Sequence, residues 1–377
     1  MKPYQVVWSG PVGRLSGLGN ASREYVSALR GQGVRVHATA NGRSVPLSGS
    51  KSDRKVLVFH HSPHKINLNQ ERKRFDRIIL NTVWETTLIP RHWRPNMNKF
   101  DAICVPSQQN RRALIASGVK VPIYIVSHGV NASRYKPGNS KTRLPGDGGK
   151  FVFLSVFTFQ HRKNPEALLR AYWEEFKPND PVLLVIKTSG FAGDNEASIR
   201  RKIEAYKSVL GLRGRKTAPL VVIGRRLDDT QLKGLYARAN AFVLPTRGEG
   251  VGLPFLEALA SGVPVIATGW GGHMDFLHSG NSFLVDYNLQ NPGVSMNSKH
   301  AIAFRFRALF AQPGQRWAEP SIASLRKQMR AAFRNPALCR EKGKRGRADV
   351  AKLTWARAGS SLKKAIEQVL EKGTSKR

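Results

Sequence analysis

Acidic residues are scarce in this chain of 377 residues, with 25 Asp and Glu against 62 Lys and Arg. Cysteine is scarcer still, because Cys104 and Cys339 are the only two. Two isolated thiols predict neither a disulfide framework nor a thiolate metal site, and they favour a reducing cytoplasm as the compartment. No apolar run approaches the roughly 18 residues of a membrane-spanning helix, and the N-terminal residues lack the pattern of a signal peptide. The sequence therefore predicts a cytoplasmic protein without a transmembrane segment.

The excess of basic residues gives a formal net charge of +37 at pH 7. Hydrophobic residues make up 41% and charged residues 23% of the chain, which is ordinary for a globular protein and argues against wholesale disorder. A charge this large predicts a polyanionic partner, which is nucleic acid, an anionic membrane surface or an acidic polymer. Peripheral association with one of these partners is therefore expected.

Short apolar runs alternate with amphipathic stretches in two series, one over residues 5–126 and one over residues 151–285. Strands that alternate with helices predict parallel sheets built from βαβ units. We therefore predict an α/β fold with two Rossmann-like, doubly wound domains facing a cleft. Ligand sites are expected at the carboxyl ends of the strands.

The domain boundaries follow from composition. Residues 138–150 are rich in Gly, Pro and polar residues and are predicted to link an N-terminal domain, 1–137, to a C-terminal domain, 151–350. Residues 351–377 contain an amphipathic helix, which is predicted to pack back on the N-terminal domain. The chain from about Ala301 is expected to be helical and basic. Its basic face either is solvated or binds a partner, and the sequence leaves both open.

The segment 244–273 carries the pattern with the most chemical content. A strand is predicted to end at Leu244, where the segment begins. A glycine-rich loop that includes Gly252 follows, and a helix is predicted to begin near Leu253. Glycines let a ligand approach the backbone, and a helix N-terminus offers N–H groups to an anion such as a diphosphate. Glu249 lies in the loop and Glu257 in the helix. A plain strand-to-helix turn explains the glycines alone, but the two carboxylates favour a ligand site.

This segment reads GEGVGLPFLEALASGVPVIAT, with seven residues between Glu249 and Glu257. It resembles the E-x7-E motif of the retaining glycosyltransferases of family GT4, which have the GT-B fold. Further matches follow the family's order, at Thr82–Thr86 with Pro90, Val105–Ser107, Val126–Pro137 and Trp317–Pro320. The resemblance covers most of the chain and implies a hexosyltransferase, with the acceptor bound by the N-terminal domain and the nucleotide sugar by the C-terminal domain.

The resemblance also implies roles for single residues of this sequence. Glu249 is the expected catalytic residue, in contact with the hydroxyls of the transferred sugar, and Glu257 is expected to contact the ribose of the nucleotide. The family places an Arg and a Lys on the diphosphate. Lys163 occupies the Lys position, but Phe157 stands where the Arg is expected. Arg162 or Lys187 is expected to supply the charge of that missing Arg. The other donor-binding residues that the resemblance implies are Gly250, Val251, Gly252 and Leu253.

The expected co-substrate is a UDP- or GDP-linked sugar, and no other cofactor is required. Negative charge grows on the leaving diphosphate, so fixed cations and helix N-termini aimed at it lower the barrier. The sequence has no Asp-x-Asp metal motif in the position that the family would use. The adjacent pair Asp228 and Asp229 is predicted to begin a helix and to cap it instead. We therefore expect metal-independent transfer, and the resemblance implies retention of the anomeric configuration by a front-face route.

The N-terminal domain begins with a glycine-rich turn that the resemblance places near the donor phosphate and the acceptor. The expected residues of this loop are Gly13, Gly17 and Gly19. His61, at the end of a predicted strand, is a second candidate catalytic residue, and Glu85 is a candidate for acceptor binding. A histidine at a strand end is more often structural than catalytic, so the structural interpretation of His61 stays open.

The charge distribution bears on the acceptor. Residues 1–150 hold 25 basic and 7 acidic residues, in clusters that include Lys51–Lys55 and Arg72–Arg77. One hypothesis is an anionic polymer as acceptor, such as DNA with hydroxylated bases, whose phosphates the cations neutralise and whose bases would be flipped out of the stack. A second is a membrane-associated enzyme that acts on a lipid-linked or polysaccharide acceptor. A third is an inactive, nucleic-acid-binding protein on a glycosyltransferase scaffold.

Overall fold

A computed structural model describes residues 3–40, 53–191 and 193–372 of the chain. Part of the basic cluster Lys51–Lys55 thus lies outside the described residues. The strands are β1 Tyr4–Ser9, β2 Arg35–Thr39, β3 Arg54–Phe59, β4 Arg77–Asn81, β5 Ala102–Val105, β6 Ile123–Ile125, β7 Phe151–Thr158, β8 Val182–Ser189, β9 Leu220–Ile223, β10 Ala241–Leu244, β11 Val265–Thr268, β12 Ser282–Val285, β13 Tyr287–Gln290 and β14 Trp317–Pro320.

The helices occupy most of the connections between these strands. They are α1 Gly17–Gly31, α2 Leu68–Glu71, α3 Arg94–Met97, α4 Gln108–Ala116, α5 Pro165–Glu175, α6 Glu196–Val209, α7 Asp229–Arg238, α8 Leu253–Ala260, α9 Pro292–Met296, α10 Arg307–Phe310, α11 Ile322–Arg334, α12 Pro336–Val350 and α13 Trp355–Glu371. No helix among the described residues is both long enough and apolar enough to cross a membrane.

The chain divides into two compact units. The first comprises the described residues up to Gly129 and from Leu353 onward, and the second comprises residues 130–352. The first unit contains a parallel sheet with the strand order β2-β1-β3-β4-β5-β6. Its core joins this sheet to α1 and α13, and it includes Trp8, Leu29 and Ile366, which are fully buried. The strands are apolar because both faces of a parallel sheet are covered.

The second unit contains a parallel sheet with the order β12-β11-β10-β7-β8-β9 and a separate antiparallel pair, β13-β14. Helix caps in the sequence fix several of its connections. Asn164 caps α5 by accepting a hydrogen bond from the amide of Ala167 (3.2 Å). Asp228 caps α7, where its side chain and that of Gln231 form a capping box. The predicted α/β fold class is confirmed.

In each sheet the strand order reverses at one place, between β1 and β3 in the first and between β7 and β10 in the second. At such a point the connections leave the sheet on opposite faces, which opens a crevice beyond the carboxyl ends of the two strands. These are the places where a ligand site is expected in a doubly wound sheet. The glycine-rich turn and His61 follow β1 and β3, whereas Lys163 and Glu249 follow β7 and β10.

Two regions differ from a plain interpretation of the sequence. The predicted linker, 138–150, packs within the second unit, because the amide of Thr142 donates to the carbonyl of Gly234 (3.1 Å) and Arg238 binds the Asp147 carboxylate (2.6 Å). The helical pattern predicted from about Ala301 is present only in part. Backbone amides at Ile302 and Ala303 bind the Glu166 carboxylate, β14 follows, and the long terminal helices begin only at α11.

Candidate active site

The candidate site of the second unit lies at the carboxyl ends of three neighbouring strands, β7, β10 and β11. The residues after β7 form a short 3₁₀ helix, His161–Lys163. The loop after β10 is tied to this helix by a hydrogen bond from the Arg247 amide to the Arg162 carbonyl (2.8 Å). It is tied to the turn after β11 by a bond from the Gly272 amide to the Glu249 carbonyl (2.7 Å). Three chain segments thus meet around Glu249.

Glu249 is almost fully buried, with 5% of its surface exposed. Its Oε1 atom accepts from the Lys163 ammonium, lies 3.3 Å from the Arg162 guanidinium and accepts from the Thr246 hydroxyl (3.1 Å). Burial opposes the carboxylate, but Lys163 and Arg162 outweigh burial and lower the pKa of Glu249 to about 2. The residue is therefore a fixed negative charge at neutral pH, able to accept hydrogen bonds and unable to act as a proton donor.

The structure brings Arg162 and Lys163 together at this carboxylate. Arg162 is buried, and its guanidinium also donates to the carbonyl oxygen of Gly248. Phe157, at the position where the resemblance expects an arginine, is buried and its ring stacks on Phe159 with centroids 6.4 Å apart. The chain thus places two adjacent cations on the 3₁₀ helix, where the family pattern has two separated ones.

Lys187 has different neighbours. It lies near the end of β8, and its ammonium donates to the Thr188 carbonyl (3.0 Å). Burial lowers the pKa of Lys187, and among the charged groups that act on it are Glu196 and Arg225 rather than Glu249. These contacts do not link Lys187 to the Glu249 cluster, and its predicted role in donor binding remains a prediction.

Glu257 projects from α8 into an aromatic environment. The Tyr236 hydroxyl donates to its Oε2 atom (2.7 Å), and Tyr135 packs edge-to-face on Tyr236 with ring centroids 5.6 Å apart. Burial raises the pKa of Glu257 to about 7, against the opposing effect of its hydrogen bonds to Tyr236 and Tyr135. The two carboxylates of the motif therefore have opposite electrostatic settings, one held charged and one able to exchange a proton near neutral pH. The sequence pattern gave no sign of the two tyrosines.

The loop between the two carboxylates prepares the start of α8. Gly252 has φ +89° and caps the helix without a side-chain hydrogen bond. A Cβ atom there would lie 2.4 Å from the Phe255 ring, so only glycine fits. Gly250 and Val251 are buried, whereas Leu253 is partly exposed at the first helical position. A helix that begins without a side-chain cap leaves backbone N–H groups for an anion.

Residues predicted from the N-terminal half lie in the first unit. A Cβ atom at Gly13 or Gly17 would meet nothing within 4 Å, but one at Gly19 would lie 2.1 Å from the Arg14 carbonyl oxygen, so only this glycine is required by packing. His61 follows β3 and is partly exposed, and Glu85 is partly exposed after β4.

His61 lines a cavity of about 340 Å³ at the carboxyl ends of β1, β2 and β3. The other charged residues of its wall are Arg14, Lys65, Arg74 and Glu71, and the apolar ones include Leu57, Phe59 and Phe75. Burial lowers the pKa of His61, and the positive charges of Lys65 and Arg14 lower it further. The Glu71 carboxylate is occupied by Arg74 at 3.1 Å. The cavity therefore has an excess of positive charge.

An ion pair with a buried arginine, which no sequence pattern indicated, lies beside the Glu249 loop. Arg247 is 4% exposed, and its guanidinium donates two hydrogen bonds to Glu319 of β14 (2.7 and 3.0 Å). Glu319 belongs to the tetrapeptide Trp317–Pro320, which the sequence analysis used only as evidence of resemblance. The signal was present in that motif, but nothing in the sequence links it to a residue 72 positions earlier.

The described residues contain no group of three or more His, Cys, Asp or Glu side chains that could hold a metal ion. Asp228 caps α7 and Asp229 binds Lys233 (2.7 Å), so both carboxylates have local partners.

Comparisons with known proteins agree with this architecture. A family model for the glycosyl transferases group 1 matches residues 149–292. The D-inositol 3-phosphate glycosyltransferase of Rhodococcus opacus (strain B4) is 28% identical over 244 residues, which cover 63% of this chain and 48% of that protein. The chain spans about half or less of the length of the first curated relatives that it matches.

Two solved structures show the same fold over nearly the whole chain. Sucrose-phosphate synthase from Thermosynechococcus elongatus has a TM-score of 0.69 and 17% identity, covering 97% of this chain and 99% of that one. HepE from Anabaena, in complex with UDP and glucose, has a TM-score of 0.67 and 13% identity, covering 97% of this chain and 100% of that one. At these identities the likeness establishes the fold.

Proposed function

Because residues 149–292 match the family model of the glycosyl transferases group 1, we propose that this chain transfers a sugar from a nucleoside-diphosphate sugar to an acceptor hydroxyl. The observation that carries the proposal is the buried Glu249 carboxylate, which lies beside Lys163 and Arg162 at the reversal point of the second sheet. A buried charge is costly, and strongly shifted pKa values are concentrated at functional sites.

The donor is a UDP- or GDP-linked sugar in this proposal. Glu249 accepts hydrogen bonds from hydroxyls of the sugar, and Glu257, with Tyr236 behind it, accepts from the ribose. Lys163, Arg162 and the N–H groups at the start of α8 stabilise the charge that develops on the leaving diphosphate. The anomeric carbon gains a bond to the acceptor oxygen and loses its bond to the phosphate oxygen. The proton of the acceptor passes to the departing diphosphate, with retention of configuration.

The acceptor in this proposal carries an anionic group and binds in the first unit. The cavity lined by Arg14, Lys65 and Arg74 supports it, because its volume of about 340 Å³ suits a sugar-sized ligand and its net charge suits a phosphate. The name of the Rhodococcus relative contains a phosphorylated polyol, which agrees with this chemistry. The DNA acceptor expected from the net charge has no comparable support. Association of the protein with nucleic acid has none either.

The experiment that tests the proposed transfer is release of nucleoside diphosphate from a panel of UDP- and GDP-linked sugars. Glu249→Gln should lower release by about 100-fold or more, in the range of losses seen when one polar group is removed from a catalytic site. Glu204→Gln is the matched control, because Glu204 is an exposed carboxylate on α6. No release by the wild-type chain with any donor would favour the inactive scaffold, and full activity of Glu249→Gln would remove the role of that residue.

The acceptor is tested in the same assay with phosphorylated polyols and sugars, anionic lipid vesicles and DNA that contains hydroxymethylated bases. We expect a phosphorylated polyol or sugar to accelerate release, and Arg74→Gln to raise the KM for that acceptor more than it changes kcat. Mass addition to DNA or to a lipid, with no response to small phosphorylated acceptors, would overturn the assignment of the cavity.

A further inference from the structure

The side chain of Arg247 has no role in the proposed chemistry, although it stands two residues before Glu249. Its Nε atom donates to Glu319 Oε2 (2.7 Å) and its Nη2 atom donates to Glu319 Oε1 (3.0 Å). This is the two-bond arrangement that matches a guanidinium to a carboxylate, which fixes orientation as well as distance. Only 5% of the Arg247 side chain is exposed, against 28% of the Glu319 side chain, so solvent reaches the carboxylate but hardly the guanidinium.

The remaining guanidinium nitrogen of Arg247 reaches the segment after β7. Its Nη1 atom donates to the carbonyl oxygen of His161 and lies 3.7 Å from Glu166 Oε2. His161 begins the 3₁₀ helix that carries Arg162 and Lys163. One buried cation therefore joins β14, the loop before Glu249 and the helix that supplies the two cations of the site.

Backbone hydrogen bonds run along the same connection. The Arg247 amide donates to the Arg162 carbonyl (2.8 Å), and the Ala318 amide donates to the Arg247 carbonyl (2.9 Å). Glu319 is itself held in place, because its carboxylate also accepts from Gln290 of β13 (3.0 Å) and from Asn164 (3.4 Å). Asn164 has φ +59°, an uncommon conformation for a residue other than glycine, at the point where the 3₁₀ helix turns into α5.

We propose that Glu319 is a positioning residue for the donor site. By orienting Arg247, it holds the helix with Arg162 and Lys163 against the loop that carries Glu249. The expected effect of Glu319 on turnover rests on the proposed function. The expected effect of Glu319 on the rigidity of the loop that carries Glu249 does not.

The physical reason lies in the buried charge. Without the negative charge of Glu319, the nearest carboxylate of Arg247 is Glu166 at 3.7 Å, and a buried guanidinium with poor compensation rearranges or draws in water. Glutamine has the shape of glutamate but offers one acceptor oxygen and one amide donor, so it cannot accept both bonds of the guanidinium. A displacement of about 1 Å in catalytic groups can lower turnover by about 100-fold.

The test compares Glu319→Gln with a matched variant, Glu175→Gln. Glu175 also accepts from two arginines, Arg330 (2.6 Å) and Arg326 (3.2 Å), but it joins α5 to α11 and touches none of the predicted donor-site residues in these contacts. In Glu319→Gln we expect hydrogen exchange in residues 246–250 to rise by about tenfold. We expect kcat for donor turnover to fall by about 10- to 100-fold, while the donor KM changes less. Neither change is expected in Glu175→Gln, when the two variants are compared at the same thermal stability.

Three further outcomes decide the inference. Equal losses of kcat in both variants, in proportion to lost stability, would overturn it in favour of a structural ion pair. Unchanged exchange in 246–250 would overturn it even if activity fell. Adding Glu319→Gln to Arg247→Met should cost no further activity, because the two residues act as one unit. If the wild-type chain turns over no donor, the proposed function fails, and the exchange data still decide whether Glu319 orders the loop.

Discussion

The first unit buries the neutral histidines His60 and His128, whereas the second unit buries the charged and paired carboxylates Glu249 and Glu166. Burial lowers the pKa of His60 to about 3 and that of His128 to about 4. In the second unit, the positive charges of Lys163 and Arg162 outweigh burial at Glu249, and a hydrogen bond with His161 together with the charge of Arg247 outweighs it at Glu166, so that both pKa values are lowered to about 2. Both units have the same sheet architecture, so the fold does not require buried charge. The charge pairs mark the unit where we place the transfer chemistry.

The two units also differ in whether they bury cations, because the buried Lys and Arg residues of the described chain, Arg162 and Arg247, lie in the second unit. Several cations of the first unit lie at the surface or on the cavity wall, including Arg14, Lys65 and Arg91. In the second unit, Arg162 and Arg247 are buried against carboxylates. Surface cations act on partners and on association rates, whereas buried pairs fix geometry. The net charge of the chain thus has two separate physical uses.

The largest effect is expected when a buried pair of the second unit is broken. Arg247→Met removes the cation and leaves Glu319 and the buried Glu166 without it, which should destabilise the second unit by about 3–5 kcal/mol. The measurement is urea unfolding followed by hydrogen exchange on peptides of each unit. A loss below about 1 kcal/mol would mean that this buried cation contributes no more to the free energy of unfolding than an exposed ion pair does.

An intermediate effect is expected from acid in the first unit. Because the folded-state pKa of His128 is lowered to about 4, its stability contribution is present above pH 6.5 and is lost as pH falls toward 4. His128→Phe keeps a ring beside Tyr25 and Trp355 and removes the titration. Between pH 6.5 and 4, the variant should lose less stability than the wild type, by up to about 3 kcal/mol. Parallel stability curves would show that this histidine is not neutral in the folded state.

The smallest effect is expected at a pair of the first unit whose cation is exposed. Arg35 binds Asp53 at 2.9 Å, and 55% of the Arg35 side chain is exposed, against 9% of the Asp53 side chain. Arg35→Ala should change the free energy of unfolding by less than about 1 kcal/mol, and the change should shrink further in high salt. Chemical denaturation at low and high salt measures it. A larger loss of unfolding free energy that does not depend on salt would show that this exposed cation contributes as much as a buried one.

Much of the fold could be predicted from the sequence, because the central strands are short apolar runs between clear helix signals. Ala102–Val105 and Ala241–Leu244 are two such runs. The pair β13-β14 was missed because residues such as Asn288 and Gln290 break the apolar pattern. Such a strand is stabilised by its tertiary contacts rather than by its composition.

The residues of the candidate site were proposed from the sequence, but their contacts were not. The motif singled out Glu249 and Glu257, and the resemblance singled out Lys163, but no pattern showed that Lys163 binds Glu249 across 86 residues of sequence. The opposite pKa shifts of the two carboxylates were equally hidden, since they depend on which cations and tyrosines surround each one. Long-range pairing and burial come from tertiary structure, and local sequence does not encode them.

The order of the chain has a consequence for its biosynthesis. The first unit is interrupted, because the chain leaves it at Gly129 and returns at Leu353 with α13. Leu362, Ile366 and Leu370 of α13 belong to the same core as Trp8 of the first strand. A ribosome must therefore make the whole second unit before it supplies the helix that completes the first. Domains usually fold in order from the N-terminus during translation. Here the unit that begins first is completed last, and its nascent sheet must wait for more than two hundred residues of later chain.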